Sequence, residues 1–353
     1  MTDLLRLTAE LVDLPSPSFH EGPVVEHLEA ELRAVPWLDV ERVGDNVVAR
    51  TQLGRETRLV LAGHTDTVPA NDNDTARIVG DVLWGLGSCD MKGGLAVMLE
   101  LARTVPEPVV DVTYVFYARE EVESVHSGLL ELLTERPDLL QGDVALLGEP
   151  TAAAIEAGCQ GTMRYRVTFT GRRAHTARAW MGVNAVQRMA GLLTALERYE
   201  PRRPVIAGCE FREGLQAVAV EGGIAGNVVP DLATLTINHR FAPDRSIDEA
   251  NEHVRQFIEE HLDGEDSAER VDVAGGAWPA TDHPLVQRLA DRHGLEVRAK
   301  LGWTDVARFA EAGIPAANFG PGDPTLAHAP DERLERQDVE AAYAALHDLL
   351  TIE

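Results

Sequence analysis

Apolar positions recur at helical spacing from the start of the chain, first at Leu4, Leu7 and Leu11 and then at Val24, Val25, Leu28 and Leu32, with Pro15 and Pro17 between the two sets. This pattern predicts amphipathic helices over 2–14 and 21–34. Short apolar runs follow over 46–50, 58–62, 109–118 and 143–147, and they predict strands buried on both faces. Between the second and third of them lies GLAVMLELARTV, 94–105, a helix with few polar breaks. Strands alternating with helices predict an α/β domain built on a largely parallel sheet.

The texture changes near Gly161. MRYRVTFTG alternates apolar and polar residues, a helix fits 184–199, LQAVAVEGG and LATLTINHRFAP alternate again, and a further helix fits 247–262. This β, α, β, β, α order predicts a separate α+β unit of ferredoxin-like type with one solvated sheet face. Helix and strand signals of the first kind return at 284–293, 314–319 and 339–350. The expected organisation is a discontinuous α/β domain over 1–161 and 273–353 with an α+β insert over 162–272. A length of 353 residues exceeds the usual single core and agrees with two domains.

The formal charge of -26 would repel phosphate backbones and anionic lipid, which argues against nucleic-acid and membrane partners. The basic residues are almost all Arg, with Lys only at Lys92 and Lys300. The opening residues have no basic stretch leading into an apolar run, and no apolar segment is long enough to span a bilayer, so a cytoplasmic location is expected. Cys89, Cys159 and Cys209 are odd in number, widely spaced and free of any CxxC pair, which disfavours a disulfide framework or a thiolate zinc site.

The candidate chemistry lies where predicted strands end. The run 58–62 leads into His64-Thr65-Asp66, 109–118 into Glu120-Glu121, 143–147 into Glu149, and 314–319 into a loop holding His328. In open α/β sheets ligands bind outside the carboxyl ends of the strands, so these groups should converge. Asp90 adds a further carboxylate from the loop GLGSCDMKGG, 85–94. That loop lacks the GxxxxGK[ST] pattern of a phosphate cradle, and its glycines are expected to let a tight turn carry Asp90 inward. Carboxylates forced together repel and raise one another's pKa unless a cation neutralises them, and imidazole with carboxylate ligands suits zinc or another borderline divalent ion.

Taken together and in this order, HTDTVP, GLGSCDMKGG, REE, GEP and LAHAPDE resemble the successive metal motifs of the M20 metallopeptidases. The stretches GCQGT, RAHTARAW, GGIAGNVVPD, NHRFAPDRS, GWTDVARF and FGPGDPTLAH further resemble the succinyl-diaminopimelate desuccinylase branch of that family, so the likeness covers essentially the whole chain. The resemblance implies two Zn2+ ions, one replaceable by Co2+ or another divalent ion. Asp90 would bridge them, His64 and Glu149 would complete one site, and Glu121 with His328 the other. It implies that Glu120 is the general base and that Asp66 accepts a hydrogen bond from the His64 ring nitrogen turned away from the metal. It also implies a homodimer formed through the inserted domain, in which His175 stabilises the oxyanion in the partner's site, with Asn227, Arg240 and Thr304 at substrate-binding positions. Arg178, three residues after His175, joins that group on its chemistry alone, as a cation suited to a carboxylate.

The implied reaction splits N-succinyl-LL-2,6-diaminopimelate into succinate and LL-2,6-diaminopimelate. An acetylornithine deacetylase, an aminoacylase or a dipeptidase of the same family would share the metal chemistry and differ in the acyl pocket. A non-catalytic binding protein on this fold is expected to lack Glu120 or a ligand, and this chain keeps all of them. Cys89 is expected to pack rather than ligate, and the remaining histidines are expected to be mostly exposed.

Overall fold

The computed structural model describes residues 2–352, which divide into two compact units. The first comprises Met1–Gly158, Pro279–Ala299 and Thr304–Glu353, and the second Cys159–Trp278 with Lys300–Trp303. The backbones of Cys159 and Ala277 exchange two hydrogen bonds of 3.1 and 3.0 Å, so the stem of the second unit runs past residues 162 and 272.

The first unit is built on an eight-stranded sheet in the order Asp39–Val43, Asn46–Arg50, Asp111–Tyr117, Arg58–His64, Val144–Leu147, Ala316–Asn318, Ile155–Ala157, Val297–Ala299. The four strands from Asp111–Tyr117 to Ala316–Asn318 run parallel, whereas the apolar run 46–50 joins the sheet antiparallel to Asp111–Tyr117. All seven residues of Asp111–Tyr117 are buried, as befits a strand covered on both faces. The flanks are antiparallel: Asp39–Val43 forms a hairpin with Asn46–Arg50, and Ile155–Ala157 opposes Ala316–Asn318. Strands of three residues such as Ile155–Ala157 and Val297–Ala299 are too short to carry a periodicity, and the sequence gives no sign of them.

Helix Gly93–Thr104 is buried from Gly93 to Ala102 and packs against helices Leu4–Val12 and Arg336–Thr351. Its start is set by the turn Ser88–Lys92, in which Asp90 and Met91 leave helical geometry. A small antiparallel sheet of Arg77–Val79, Val82–Trp84 and Arg333–Glu335 brings the late segment after His328 beside the residues leading into that turn.

In the second unit, strands Gly161–Thr170, Gly214–Gly222, Leu232–Phe241 and Ser267–Ala274 form an antiparallel sheet in which the order is second, third, first, fourth. With helices after the first and third strands, the chain order is β-α-β-β-α-β, the connectivity of a ferredoxin-like unit. Alternation in Gly161–Thr170 and Leu232–Phe241 sends Met163, Tyr165, Val167, Phe169, Leu235 and Ile237 into one core. Helix Ile247–Glu259 is started by a capping box between Ser246 and Glu249. The helix expected over 184–199 is divided into Ala185–Arg188 and Ala190–Glu197, because the Met189 N–H reaches back only three residues, to Val186.

The edge strand Gly214–Gly222 departs from its sequence pattern. LQAVAVEGG predicts one buried face, yet only Leu215 is buried and every residue from Gln216 to Gly222 is exposed. A bulge at Val218 breaks the pairing register, and nothing within the unit covers this edge.

Candidate metal centre

His64 ends the central strand Arg58–His64, and its ring is 1 % exposed. Nε2 lies 3.1 Å from Asp90 Oδ1, while Nδ1 lies 3.0 Å from the main-chain oxygen of Asp66 and 3.5 Å from its carboxylate. His64, Asp90 and Glu121 each present one ligand atom, and the three atoms lie within 4.8 Å of one another. His328 joins from the far side, with Nε2 2.7 Å from Glu121 Oε1 and 3.6 Å from Asp90 Oδ2. Glu149 is buried on the loop after Val144–Leu147, and its charge acts on both His64 and Glu120. The groups that end the parallel strands therefore converge with Asp90 at the carboxyl end of the sheet.

Two glycines make the approach of these loops possible. Gly87 adopts φ 76°, a left-handed conformation that favours residues without a Cβ, and turns the chain into Ser88–Lys92. At Gly94 a Cβ would sit 2.2 Å from the carbonyl oxygen of Gly148, so the helix behind Asp90 touches the backbone next to Glu149 directly.

The Asp66 carboxylate has a wider part than the sequence suggested. It accepts the backbone N–H groups of Glu120 at 2.9 Å and Glu121 at 3.1 Å, and the Ser18 hydroxyl at 2.7 Å. Its nearest contact to the imidazole is through its own carbonyl, so the carboxylate chiefly holds the loop that presents both glutamates. Burial works to raise its pKa, but the His64 ring, these N–H groups and Ser18 outweigh it and hold the carboxyl down at about 2.

The electrostatics are those of an uncompensated acidic cluster. Burial, then the charges of Glu149, Asp305 and Glu121, push Glu120 well above the usual carboxylate range, against the opposing pull of His64. Burial and Asp90 raise Glu121 as well. Burial alone would lower His64, but the Asp66 and Asp90 hydrogen bonds and the Glu149 charge raise it well above 6.5, and His328 is raised by Glu121 and Asp90 against its own desolvation. Carboxylates that resist ionisation beside imidazoles that resist losing a proton are what excess negative charge produces, and divalent cations would relieve both. The donor set is nitrogen and oxygen throughout, which suits zinc-like ions. Cys89 is buried with its thiol on the Asp323 carbonyl at 3.2 Å, and burial raises its pKa far above the usual thiol value, so it packs rather than offering a thiolate.

The remaining predicted residues are divided between the two units. His175, Arg178 and Asn227 belong to one cluster of the second unit: His175 pairs with Val228 in a short ladder, and the Thr176 N–H donates to the Asn227 carbonyl at 3.0 Å. All three are exposed, and His175 Nδ1 accepts the Ala177 N–H. Arg240 lies within strand Leu232–Phe241, half-buried, with its pKa lowered by desolvation. Thr304 belongs to the first unit and is buried beside Asp305. Among the histidines given no role, His239 is buried, with Nδ1 3.0 Å from the Gly214 carbonyl.

Three participants escaped the sequence reading. Ser18 bonds to Asp66 from a stretch with no motif. Asp305 is buried, bonded to Arg308 at 2.6 Å, and its charge raises Glu120, while Arg308 reaches the Ser124 carbonyl and hydroxyl beyond the glutamate loop. Glu332 lies buried against the Asp90 turn. The last two stand inside quoted motifs, GWTDVARF and LAHAPDE, and an acid inside an otherwise apolar or metal-binding stretch was the available signal.

The sequence profile of peptidase family M20/M25/M40 matches residues 60–352. The chain belongs to this family. It is 49% identical over 350 residues to the protein named putative succinyl-diaminopimelate desuccinylase DapE of Mycobacterium tuberculosis, covering 99% of this chain and 98% of that one. It is 44% identical over 357 residues to the succinyl-diaminopimelate desuccinylase of Corynebacterium glutamicum, covering 99% and 96%. Among solved structures, a tripeptidase from Staphylococcus aureus matches with a TM-score of 0.80 at 22% identity, over 99% of this chain and 97% of that one. The YXEP protein of Bacillus subtilis, described as a dinuclear metal-binding peptidase of the M20 family, matches with a TM-score of 0.71 at 16% identity, over 98% and 96%. The M20 relatives share this α/β architecture, and among the described residues no helix is long and apolar enough to cross a membrane.

Proposed function

We propose that this M20 chain is a two-zinc amide hydrolase that cleaves N-succinyl-LL-2,6-diaminopimelate to succinate and LL-2,6-diaminopimelate in the cytoplasm. The observation that carries the chemistry is the meeting of His64, Asp90 and Glu121 within 4.8 Å, with His328 against Glu121 and Glu149 buried alongside. The acyl specificity is supported by the desuccinylase relatives, which match along nearly the whole chain at 44% and 49% identity.

Asp90 would bridge the ions, His64 and Glu149 would hold one, and Glu121 and His328 the other. Bound there, divalent ions polarise an amide carbonyl and bring the pKa of a water from about 15.7 towards about 7. Glu120 takes the proton of the attacking water and returns it to the leaving amine. Asp66 keeps Glu120 and Glu121 apart by gripping their two N–H groups, so one side chain can face metal and its neighbour water. Arg240, half-buried and without a hydrogen bond from its guanidinium among the described residues, is suited to a substrate carboxylate, and Arg178, Asn227 and Thr304 are assigned to substrate as well.

The exposed edge Gly214–Gly222 supports a homodimer through the second unit. Val218 and Val220 stand 55% and 54% exposed on a strand edge that a second copy would cover. His175 would then act in the partner's site, where one oxyanion donor contributes about 2.7 to 4 kcal/mol.

Two measurements test this assignment. With zinc-loaded protein, kcat/KM for succinyl-diaminopimelate is expected to exceed that for acetylornithine by at least about 10²-fold, since a site that pairs a carboxylate rejects an acyl group lacking it. Preference for the acetylated substrate would sink the desuccinylase assignment and favour a deacetylase of the same family. Glu149→Ala is expected to halve the zinc retained after dialysis, and full retention of both equivalents would remove Glu149 from the ligand set.

A further inference from the structure

Glu332 is a carboxylate, 1% exposed, that the chemistry above leaves unused. It stands four residues after His328, and its Oε1 accepts the backbone N–H groups of Cys89 at 2.9 Å and Asp90 at 3.1 Å. Those N–H groups need it. Asp90 and Met91 leave helical geometry, at φ/ψ of -117°/94° and -132°/37°, so the turn cannot bond internally as a helix would. A buried N–H without an acceptor is costly, and the side-chain oxygen of Glu332 supplies one acceptor for both. The main chain of Glu332 is tied in the same place: its carbonyl accepts the Gly85 N–H at 3.1 Å, and the next residues, Arg333–Glu335, pair with Val82–Trp84. One short segment thus carries His328 at one end and grips the backbone of Asp90 at the other.

We propose that Glu332 is a positioning residue of the metal centre: by holding the Cys89 and Asp90 N–H groups it fixes where the Asp90 carboxylate points and sets its spacing from His328. Removing the carboxylate leaves every ligand in place and loosens the geometry between two of them. The inference rests on the metal reading above and extends it to a residue outside the ligand set. Loss of such a partner behind a ligand weakens metal binding by about 10- to 100-fold in general.

The test uses the full chain stripped of metal, titrated with zinc against a chromophoric chelator, with Co2+ absorption as a second readout of ligand geometry. Glu332→Ala is expected to weaken zinc binding by about 10- to 100-fold and to alter the Co2+ spectrum. Glu332→Gln, whose amide oxygen still accepts both N–H groups, is expected to restore affinity and spectrum to near wild type. Leu334→Ala removes a fully buried side chain two residues on and serves as the structural control, expected to lower the thermal midpoint while zinc affinity per folded chain stays unchanged. Wild-type affinity in Glu332→Ala, an equal loss in Leu334→Ala, or no recovery in Glu332→Gln would each overturn the positioning role. If the wild-type chain itself binds no stoichiometric zinc, it is the metal reading that fails, an outcome separate from the other three.

Discussion

Glu120→Gln is expected to retain both zinc equivalents and to lose turnover by about 10² to 10⁴-fold, the usual contribution of a positioned general base. Gln has the same shape, so the Asp66 grip on the N–H groups of residues 120 and 121 survives the substitution. What disappears is the capacity to take and return a proton. The proposal separates Glu120 from Glu121 by their neighbours: Glu121 is 2.7 Å from His328 and belongs to the cluster with His64 and Asp90, whereas Glu120 is outside that cluster and is raised by the surrounding charges of Glu149 and Asp305. Single-turnover rates together with metal analysis decide the matter. Loss of a zinc equivalent in Glu120→Gln would mean that the two glutamates exchange roles, and retained turnover would mean that the base lies elsewhere.

The parts of this arrangement that were legible in the sequence are those governed by local pattern. The strands Asp111–Tyr117 and Arg58–His64 announce themselves as apolar runs because both their faces are covered, and the acids and histidines after them stand out because several such runs end alike, where ligands bind in open α/β sheets. Strand Gly214–Gly222 misled for the complementary reason. Its alternation is real, but whether a face is buried depends on what packs on the strand, and every residue from Gln216 to Gly222 is exposed. Glu332 and Ser18 were missed because their importance comes from partners 242 and 48 residues away, a relation that no local spacing encodes. Asp66 lay between the two cases. Its place beside His64 was visible, but its hold on the Glu120 and Glu121 backbone, 54 and 55 residues on, became clear only with the parallel strands side by side.

Gly94→Ala is expected to destabilise the first unit and to disturb the metal centre together. A Cβ there would meet the Gly148 carbonyl oxygen at 2.2 Å and its carbon at 3.0 Å, and both are backbone atoms that cannot swing aside as a side chain could. The nearest side chain, Met91 at 3.1 Å, is buried on the same turn as Asp90 and offers little slack. Either helix Gly93–Thr104 or the loop carrying Glu149 must shift, and overpacking of this kind costs about 1–3 kcal/mol. For a folding unit of roughly 150–250 residues, the range into which the first unit falls, that corresponds to a fall in thermal midpoint of about 2–4 °C for each kcal/mol. The shift also separates Asp90 from Glu149, so zinc should protect the variant less than it protects the wild type, because a ligand stabilises only as far as the native geometry binds it. Thermal unfolding in chelator and in excess zinc measures both effects at once. A wild-type midpoint in chelator would show that the helix and loop do not touch as described. A lowered midpoint with undiminished zinc protection would show that the contact supports the fold alone and does not set the distance between the two carboxylates.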